Sequence, residues 1–182
     1  MTRLMRLVDP SAESGERDLR FRACYEADYR ALRRYIARLS GHPEEADDLT
    51  QEAFVRLWRR LQQEDVADLR PFLYRIATNL VINRHRGRVR AGAVETAASE
   101  HVIRMRPSPG DLEADLARRQ LVRQTLARLP EPMRQCVLLH HAGLSAREIS
   151  AVVGVSPAYV STLVMRGHQR FRRERSKVEH GQ

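Results

Sequence analysis

Hydrophobic positions along this chain recur almost everywhere with a helical period. Within residues 19–39, Tyr25, Tyr29, Leu32, Ile36 and Leu39 follow a 4-3-4-3 spacing, which sets them on one stripe of a helix. Cys24 borders that stripe, so packing is its expected role. Gly41 stops this helix and Pro43 helps start the next. The second helix, residues 43–61, carries Leu49, Ala53, Leu57 and Leu61 on its apolar face, with Phe54 and Trp58 alongside. A polar loop over residues 62–68 leads to Pro71, and a third helix, residues 71–86, packs through Leu73, Ile76, Ala77 and Leu80. From Gly87 to Gly110 the pattern fades into Ala, Gly, Arg and Pro, the composition of an interdomain linker. Leu112, Leu116, Val122, Leu126 and Leu129 mark a fourth helix, and after Pro130 and Pro132 a short one covers residues 133–141. No internal repeat and no series of strands appears. The pattern predicts an all-α chain of two small helical domains on a flexible linker. Its expected partition is a tail over 1–18, a domain over 19–88, a linker over 89–110, a second domain over 111–176 and a tail over 177–182.

Composition sharpens this picture in two ways. With 42% hydrophobic but only 5% aromatic residues over 182 positions, the chain suits compact helical domains better than a β-sandwich. The net charge of +9 favours a polyanionic partner such as nucleic acid. Of the 32 basic residues only Lys177 is lysine, even on faces that look merely solvated, so codon bias explains the arginine excess. The two cysteines, Cys24 and Cys136, lie far apart and imply neither a disulfide framework nor a zinc knuckle. No apolar run approaches the roughly 18 residues of a membrane span, and a cytoplasmic chain is expected. No cofactor or metal is expected.

The sharpest local signal lies at residues 144–160. Ser145 with Glu148 three positions later reads as a capping box at a helix start. Ile149 and Val153 face inward one turn apart, and small Ser150 permits close approach of a second helix. Gly154 stands where the chain must turn sharply. Ser156 then reads as an N-cap with Pro157 at the first helical position, and Val160 with Leu163 or Val164 closes the core. This is helix-turn-helix grammar, in which the second helix enters the major groove. Its outward positions are Ala158, Tyr159, Ser161, Thr162 and Arg166, which with Ser156 and Arg170 make up the expected DNA-binding set. Arg166, Arg170, Arg172, Arg173, Arg175 and Lys177 follow, opposed only by Glu174, and suit phosphate contacts. An ordinary helical hairpin with a solvated basic tail is the plainer alternative.

A helix-turn-helix alone leaves many regulator types open, and the N-terminal half narrows them. The run ADDLTQEAFVRLW at residues 46–58 resembles the polymerase-binding motif of bacterial sigma factors, especially the extracytoplasmic-function subfamily. The run PFLYRIATNLVIN at residues 71–83 is similar to that subfamily's helix for the minus-ten promoter element. Leu129-Pro130, the 133–141 helix and the 144–173 stretch resemble its second domain, which reads the minus-thirty-five element. The matches stand in family order and spacing over roughly residues 20–90 and 112–174.

The resemblance implies a non-enzymatic initiation factor that binds core RNA polymerase through Asp47, Asp48, Gln51, Glu52 and Arg56. The implied partner surface is the clamp helices of the largest subunit, with the flap for the second domain. On the third helix Arg75, Asn79, Asn83 and Arg86 follow i, i+4, i+8, i+11 spacing, and six arginines without an acid stand between Leu69 and Val94. With Gln62, Gln63 and Arg84 they form the implied minus-ten surface, where phosphate contacts combine with readout of exposed bases. A base flipped from the non-template strand is expected in the 62–68 loop and the start of this helix, and binding of unstacked bases offsets the cost of unpairing. A cognate anti-sigma protein that clamps both domains and hides their DNA faces is a further expectation from the family.

Two departures stand out. Phe72 replaces a tryptophan common in relatives. After Val160 the run Ser161-Thr162-Leu163-Val164-Met165 holds few strong base readers, so upstream recognition leans on shape and phosphates. The competing readings are a repressor with a helical dimerisation domain, which leaves residues 48–58 unexplained, and a serine resolvase, which needs an α/β domain around a serine such as Ser11. Cys136 and His140, four apart with His141 beside them, are too few for a metal site. His85 and His168 sit among arginines as possible phosphate contacts.

Overall fold

A computed structural model describes residues 10–90 and 109–180. Seven α-helices occur among them: α1 (Pro10–Ser40), α2 (Ala46–Leu61), α3 (Leu69–Arg90), α4 (Pro109–Ala127), α5 (Glu131–His141), α6 (Ala146–Val153) and α7 (Pro157–Glu179). A single 3-10 turn, Pro43–Glu45, precedes α2, and no strand occurs among the described residues. No single helix there is long and apolar enough to cross a membrane.

The all-α expectation holds, while several boundaries move outward. α1 begins at Pro10 rather than near residue 19, because no apolar stripe in the sequence marks its first turns. The start predicted at Pro43 is the 3-10 turn, and the α-helix proper begins at Ala46. α3 continues through Gly87 to Arg90, beyond the predicted end at 86. Pro109 and Gly110, read as linker, form the first turn of α4, and α5 starts at Glu131 with Pro132 in its first turn. The remainder of the expected linker, like the 1–9 tail, lies outside the described residues.

Helices α1, α2 and α3 pack pairwise on one another into the first bundle. Leu32, Ile36, Leu57, Leu73, Tyr74 and Ala77 are fully buried there, at about 1.5–3 kcal/mol for each large aliphatic side chain. The predicted α1 stripe shifts at its N-terminal end. Tyr25 is 43% exposed, and Cys24, Asp28 and Tyr35 take the inward positions instead. Tyr25 and half-buried Tyr29 instead join Phe21, Phe54 and Trp58 in a run of ring contacts 4.8–6.5 Å between centroids. On α3, Ile76 is only partly buried, and Tyr74, Thr78 and Val81 complete the inward face.

Helices α4 to α7 form the second bundle around Leu126, Leu129, Cys136, Leu139, Leu144, Ile149, Val160 and Leu163. Gly167 lets α7 approach α5, since a Cβ there would stand 2.5 Å from Val137 Cγ2. The two bundles also pack on each other, α1 against α5 and α3 against α6. The flexible tether expected from the sequence did not foretell that contact.

Candidate nucleic-acid and polymerase interface

Three surfaces carry the predicted site residues, and each is built by local chemistry. On α2, Asp48, Gln51, Glu52 and Arg56 are exposed while Leu49, Ala53 and Leu57 hold the opposite face in the core. Glu52 and Arg56 pair at 2.5 Å one turn apart, which keeps both side chains along the helix. Asp47 behaves differently. Its carboxylate accepts two hydrogen bonds from the Arg33 guanidinium of α1, and that bonding holds it below the usual carboxylate range. Asp47 therefore ties α2 to α1 and is half-buried, which separates it from the outward set.

On α3, Arg75, Asn79, Asn83 and Arg86 share one exposed face, and Arg84 is exposed on another side of the helix. The Arg75 guanidinium lies 5.0 Å from the centroid of the Phe72 ring, a cation–π contact that presents a flat, charged platform beside Asn79. Arg84 is less available than the sequence suggested, since its Nε is 3.5 Å from Glu45 Oε2 and Arg88 takes the other oxygen at 3.1 Å. The preceding loop keeps Gln62 and Gln63 exposed. Arg20 of α1 anchors its far end, donating to Asp65 at 2.8 Å and to the carbonyls of Val66 and Ala67. Sequence reasoning missed Arg20, because nothing in its spacing links it to a loop 45 residues away.

The predicted capping and turn chemistry of the third surface is realised. Ser145 accepts from the Glu148 backbone and Glu148 bonds back to Ser145 N at 2.8 Å, completing the capping box. Burial pushes the Glu148 carboxyl up, but the two bonds from Ser145 and the nearby Arg70 outweigh it and hold its pKa below normal. Gly154 adopts φ 79°, and α6 and α7 meet at 97° across the turn. Ser150 does more than make room: its hydroxyl donates to Val155 O at 2.6 Å and braces the turn. Ser156 caps α7 by accepting from Tyr159 N. Ser156, Ala158, Tyr159, Ser161, Arg166 and Arg170 are exposed, and Thr162 is half-buried with its hydroxyl on Ala158 O. Arg166, Arg170 and Arg173 line one groove with Gln169, Met133 and Glu174.

Residues 24–91 match the family model described as Sigma-70 region 2, and residues 119–170 match Sigma-70, region 4. The chain belongs to the extracytoplasmic-function (ECF) group of sigma-70 factors. It is 35% identical over 142 residues to the ECF RNA polymerase sigma factor SigE of Mycolicibacterium smegmatis, a match covering 76% of this chain and 55% of that protein. Against the ECF RNA polymerase sigma factor SigW of Bacillus subtilis it is 28% identical over 147 residues, covering 75% and 79%. Among solved structures, CnrH in complex with the cytosolic domain of CnrY superposes with a TM-score of 0.63 at 27% identity, covering 89% of this chain and 90% of that one. The sigma factor RpoE in complex with the anti-sigma factor NepR from Bartonella quintana gives 0.65 at 21% identity, covering 85% and 95%, a likeness of fold alone.

The remaining predicted groups are dispersed. Cys136 is fully buried inside the region 4 bundle, and burial raises its thiol to about 11, whereas His140 is exposed, so the two share no site. Among the described residues no group of three His, Cys, Asp or Glu side chains is arranged to hold a metal ion. His168 points at a neighbour rather than outward to a phosphate, its Nε2 3.3 Å from His141 Nε2. Burial lowers the pKa of both rings, helped by neighbouring positive groups. His85 is exposed on α3. Ser11 lies within α1, and the helical first bundle lacks the α/β domain that a serine resolvase requires.

Proposed function

We propose that this chain binds core RNA polymerase, directs it to promoters with two elements and promotes opening of the DNA, acting in the cytoplasm and without catalysis of its own. The reading rests on the pairing of an exposed, polar α3 face with a capped helix-turn-helix, within the region 2 and region 4 matches, in one chain. Asp48, Gln51, Glu52 and Arg56 meet the clamp helices of the largest subunit, and Asp47 supports them by fixing α2 against α1. Region 4 seats on the flap.

The division of labour on DNA follows from side-chain chemistry. Arg75, Arg84, Arg86, Arg166 and Arg170 neutralise phosphates, which dominates affinity and makes it fall with salt. Asn79 and Asn83, with Gln62 and Gln63, carry donors and acceptors for the edges of unpaired bases in the minus-ten strand. Burying such bases offsets the few kcal/mol of unstacking, so no nucleotide hydrolysis is needed. Ser156, Ala158, Tyr159, Ser161 and Thr162 face the minus-thirty-five major groove. With few charged base readers among them, that contact works mainly through shape and phosphates. An anti-sigma protein, the kind of partner seen with the RpoE neighbour, is the expected regulator.

The test is co-elution of the purified chain with sigma-free core polymerase, beside the double variant Asp48→Arg/Gln51→Ala. Co-elution is expected to be lost in the variant. Asn79→Ala/Asn83→Ala is expected to co-elute normally and to form fewer open complexes, read by permanganate reactivity of unpaired thymines. A folded wild-type chain that never binds core would make a plain DNA-binding repressor the better reading.

A further inference from the structure

One guanidinium bridges region 2 and region 4 where the two bundles pack. Arg70 sits in the first turn of α3, and its Nε donates to Asp28 of α1 at 2.9 Å. Asp28 is 4% exposed, so its charge requires such a partner. The other edge of the same guanidinium leaves region 2. It donates to Ala142 O at 2.9 Å and Gly143 O at 3.0 Å, and stands 3.8 Å from Glu148 of α6. Ala142 is the C-cap of α5, so the cation meets the negative end of that helix as well as its last carbonyls. A planar fork with donors on two edges performs both tasks, which an ammonium cannot.

The rest of the contact is close-fitting. Ala31, Arg34, Tyr35 and Arg38 of α1 face Leu138, His141 and Ala142 of α5 across a gap of about 20 Å³, room for little more than one water. Yet Arg75, Asn79 and Asn83 on α3, and Ser156, Tyr159 and Arg166 on the helix-turn-helix, all stay exposed. The contact therefore does not cover the DNA-reading faces; it fixes the distance between them. A compact chain of this length has a radius of gyration of about 16 Å and is roughly 40 Å across. Two promoter elements about 25 base pairs apart lie about 85 Å apart at about 3.4 Å per pair. The packed arrangement cannot reach both.

We propose that the isolated chain is self-latched, with Arg70 clasping region 4 onto region 2, and that release of this latch limits its assembly with polymerase. The second half rests on the polymerase-binding reading; the latch itself does not. Opening exposes Asp28–Arg70 to water as an intact pair within region 2, so the latch opens without unfolding either bundle. Because only the open form spans both promoter elements, apparent affinity for core and promoter is reduced by the open fraction.

The experiment is small-angle scattering on the full chain with a parallel measurement of its association with core polymerase. Ala142→Arg adds a fourth guanidinium beside Arg34, Arg38 and Arg70 while sparing the Asp28–Arg70 pair. Arg70→Lys keeps the charge beside Asp28 but loses the fork to the two carbonyls, and serves if the first variant folds poorly. With helicity unchanged, the radius of gyration is expected to rise by about 5 Å or more, as for a chain released from a compact state. Association with core is expected to quicken about tenfold, the factor for a latch closed in about nine molecules of ten. A wild-type chain as extended as both variants overturns the latch and leaves the polymerase reading standing. Variants that open but bind core no faster overturn its role in assembly. If no form binds core, the polymerase reading fails together with the assembly step, while scattering still decides the latch.

Discussion

Thr78 immediately precedes Asn79, and a buried hydrogen-bond chain through it ties α3 to α1. Thr78 Oγ1 donates to Tyr74 O at 2.7 Å, which uses its single hydroxyl proton. Tyr35 OH, 2.7 Å away, must therefore be the donor to Thr78 Oγ1, and Tyr35 and Thr78 are 2% and 5% exposed. Burial raises the Tyr35 pKa, so this phenol stays protonated at all ordinary pH. Tyr35→Phe removes a donor and leaves an acceptor lone pair unmatched, a loss of about 1 kcal/mol. Thr78→Val keeps the shape but strands the Tyr35 hydroxyl in the core, which costs about 1–3 kcal/mol. In the double variant nothing polar is stranded, so its loss should be about that of Tyr35→Phe alone. Urea titration followed by circular dichroism measures all three, with an unchanged slope showing that only stability moved. A Thr78→Val loss no larger than that of Tyr35→Phe, or two losses that simply add, would refute this hydrogen-bond chain.

Other predictions address the caps, the thiols and the acid limb of stability. Ser145→Ala removes half of the capping box and should lower region 4 stability by about 1 kcal/mol in thermal melts, with region 2 unaffected. Burial pushes Cys24 up to about 12 and Cys136 to about 11, so neither thiol should react with a disulfide reagent at pH 8 until urea unfolds the chain. Prompt reaction of either in the native chain would contradict their burial. The Arg33 hydrogen bond lowers the Asp47 pKa, so its contribution is complete above the unfolded value of about 3.9 and is lost as pH falls through the folded one. Asp47→Asn should flatten the stability curve below about pH 4. With the two side chains 26% and 50% exposed, that effect is small and shrinks in high salt.

Much of this molecule was legible in one dimension because its signals are local. Helical period, proline starts and glycine stops depend on neighbours within a turn or two, which is why the α2 and α6–α7 assignments match the structure closely. The capping box, the left-handed Gly154 and the Ser156 cap are likewise short-range chemistry written in adjacent residues. The outward set on α2 and α3 follows from the same periodicity, since a residue off the apolar stripe must face solvent or a partner.

What failed to be legible was everything that depends on distant partners. Asp47 reads as one more acid at a helix start until Arg33, fourteen residues earlier, folds against it. Nothing near Arg84 in the sequence announces its contact with Glu45, and Arg20 carries no signal of its loop. The first turns of α1 carry no apolar stripe to announce them, and the exposure of Tyr25 is not legible because a stripe does not say which of its edges is covered. Arg70 is the clearest instance. Its sequence context offers only another basic residue, and only packing brings Asp28, Ala142 and Gly143 to the two edges of its guanidinium. Two helical bundles and their outward chemistry follow from local periodicity and capping, and so are written in the order of residues. Tertiary structure decided which charges are already paired and how the bundles meet, because ion pairs and interfaces join residues far apart along the chain.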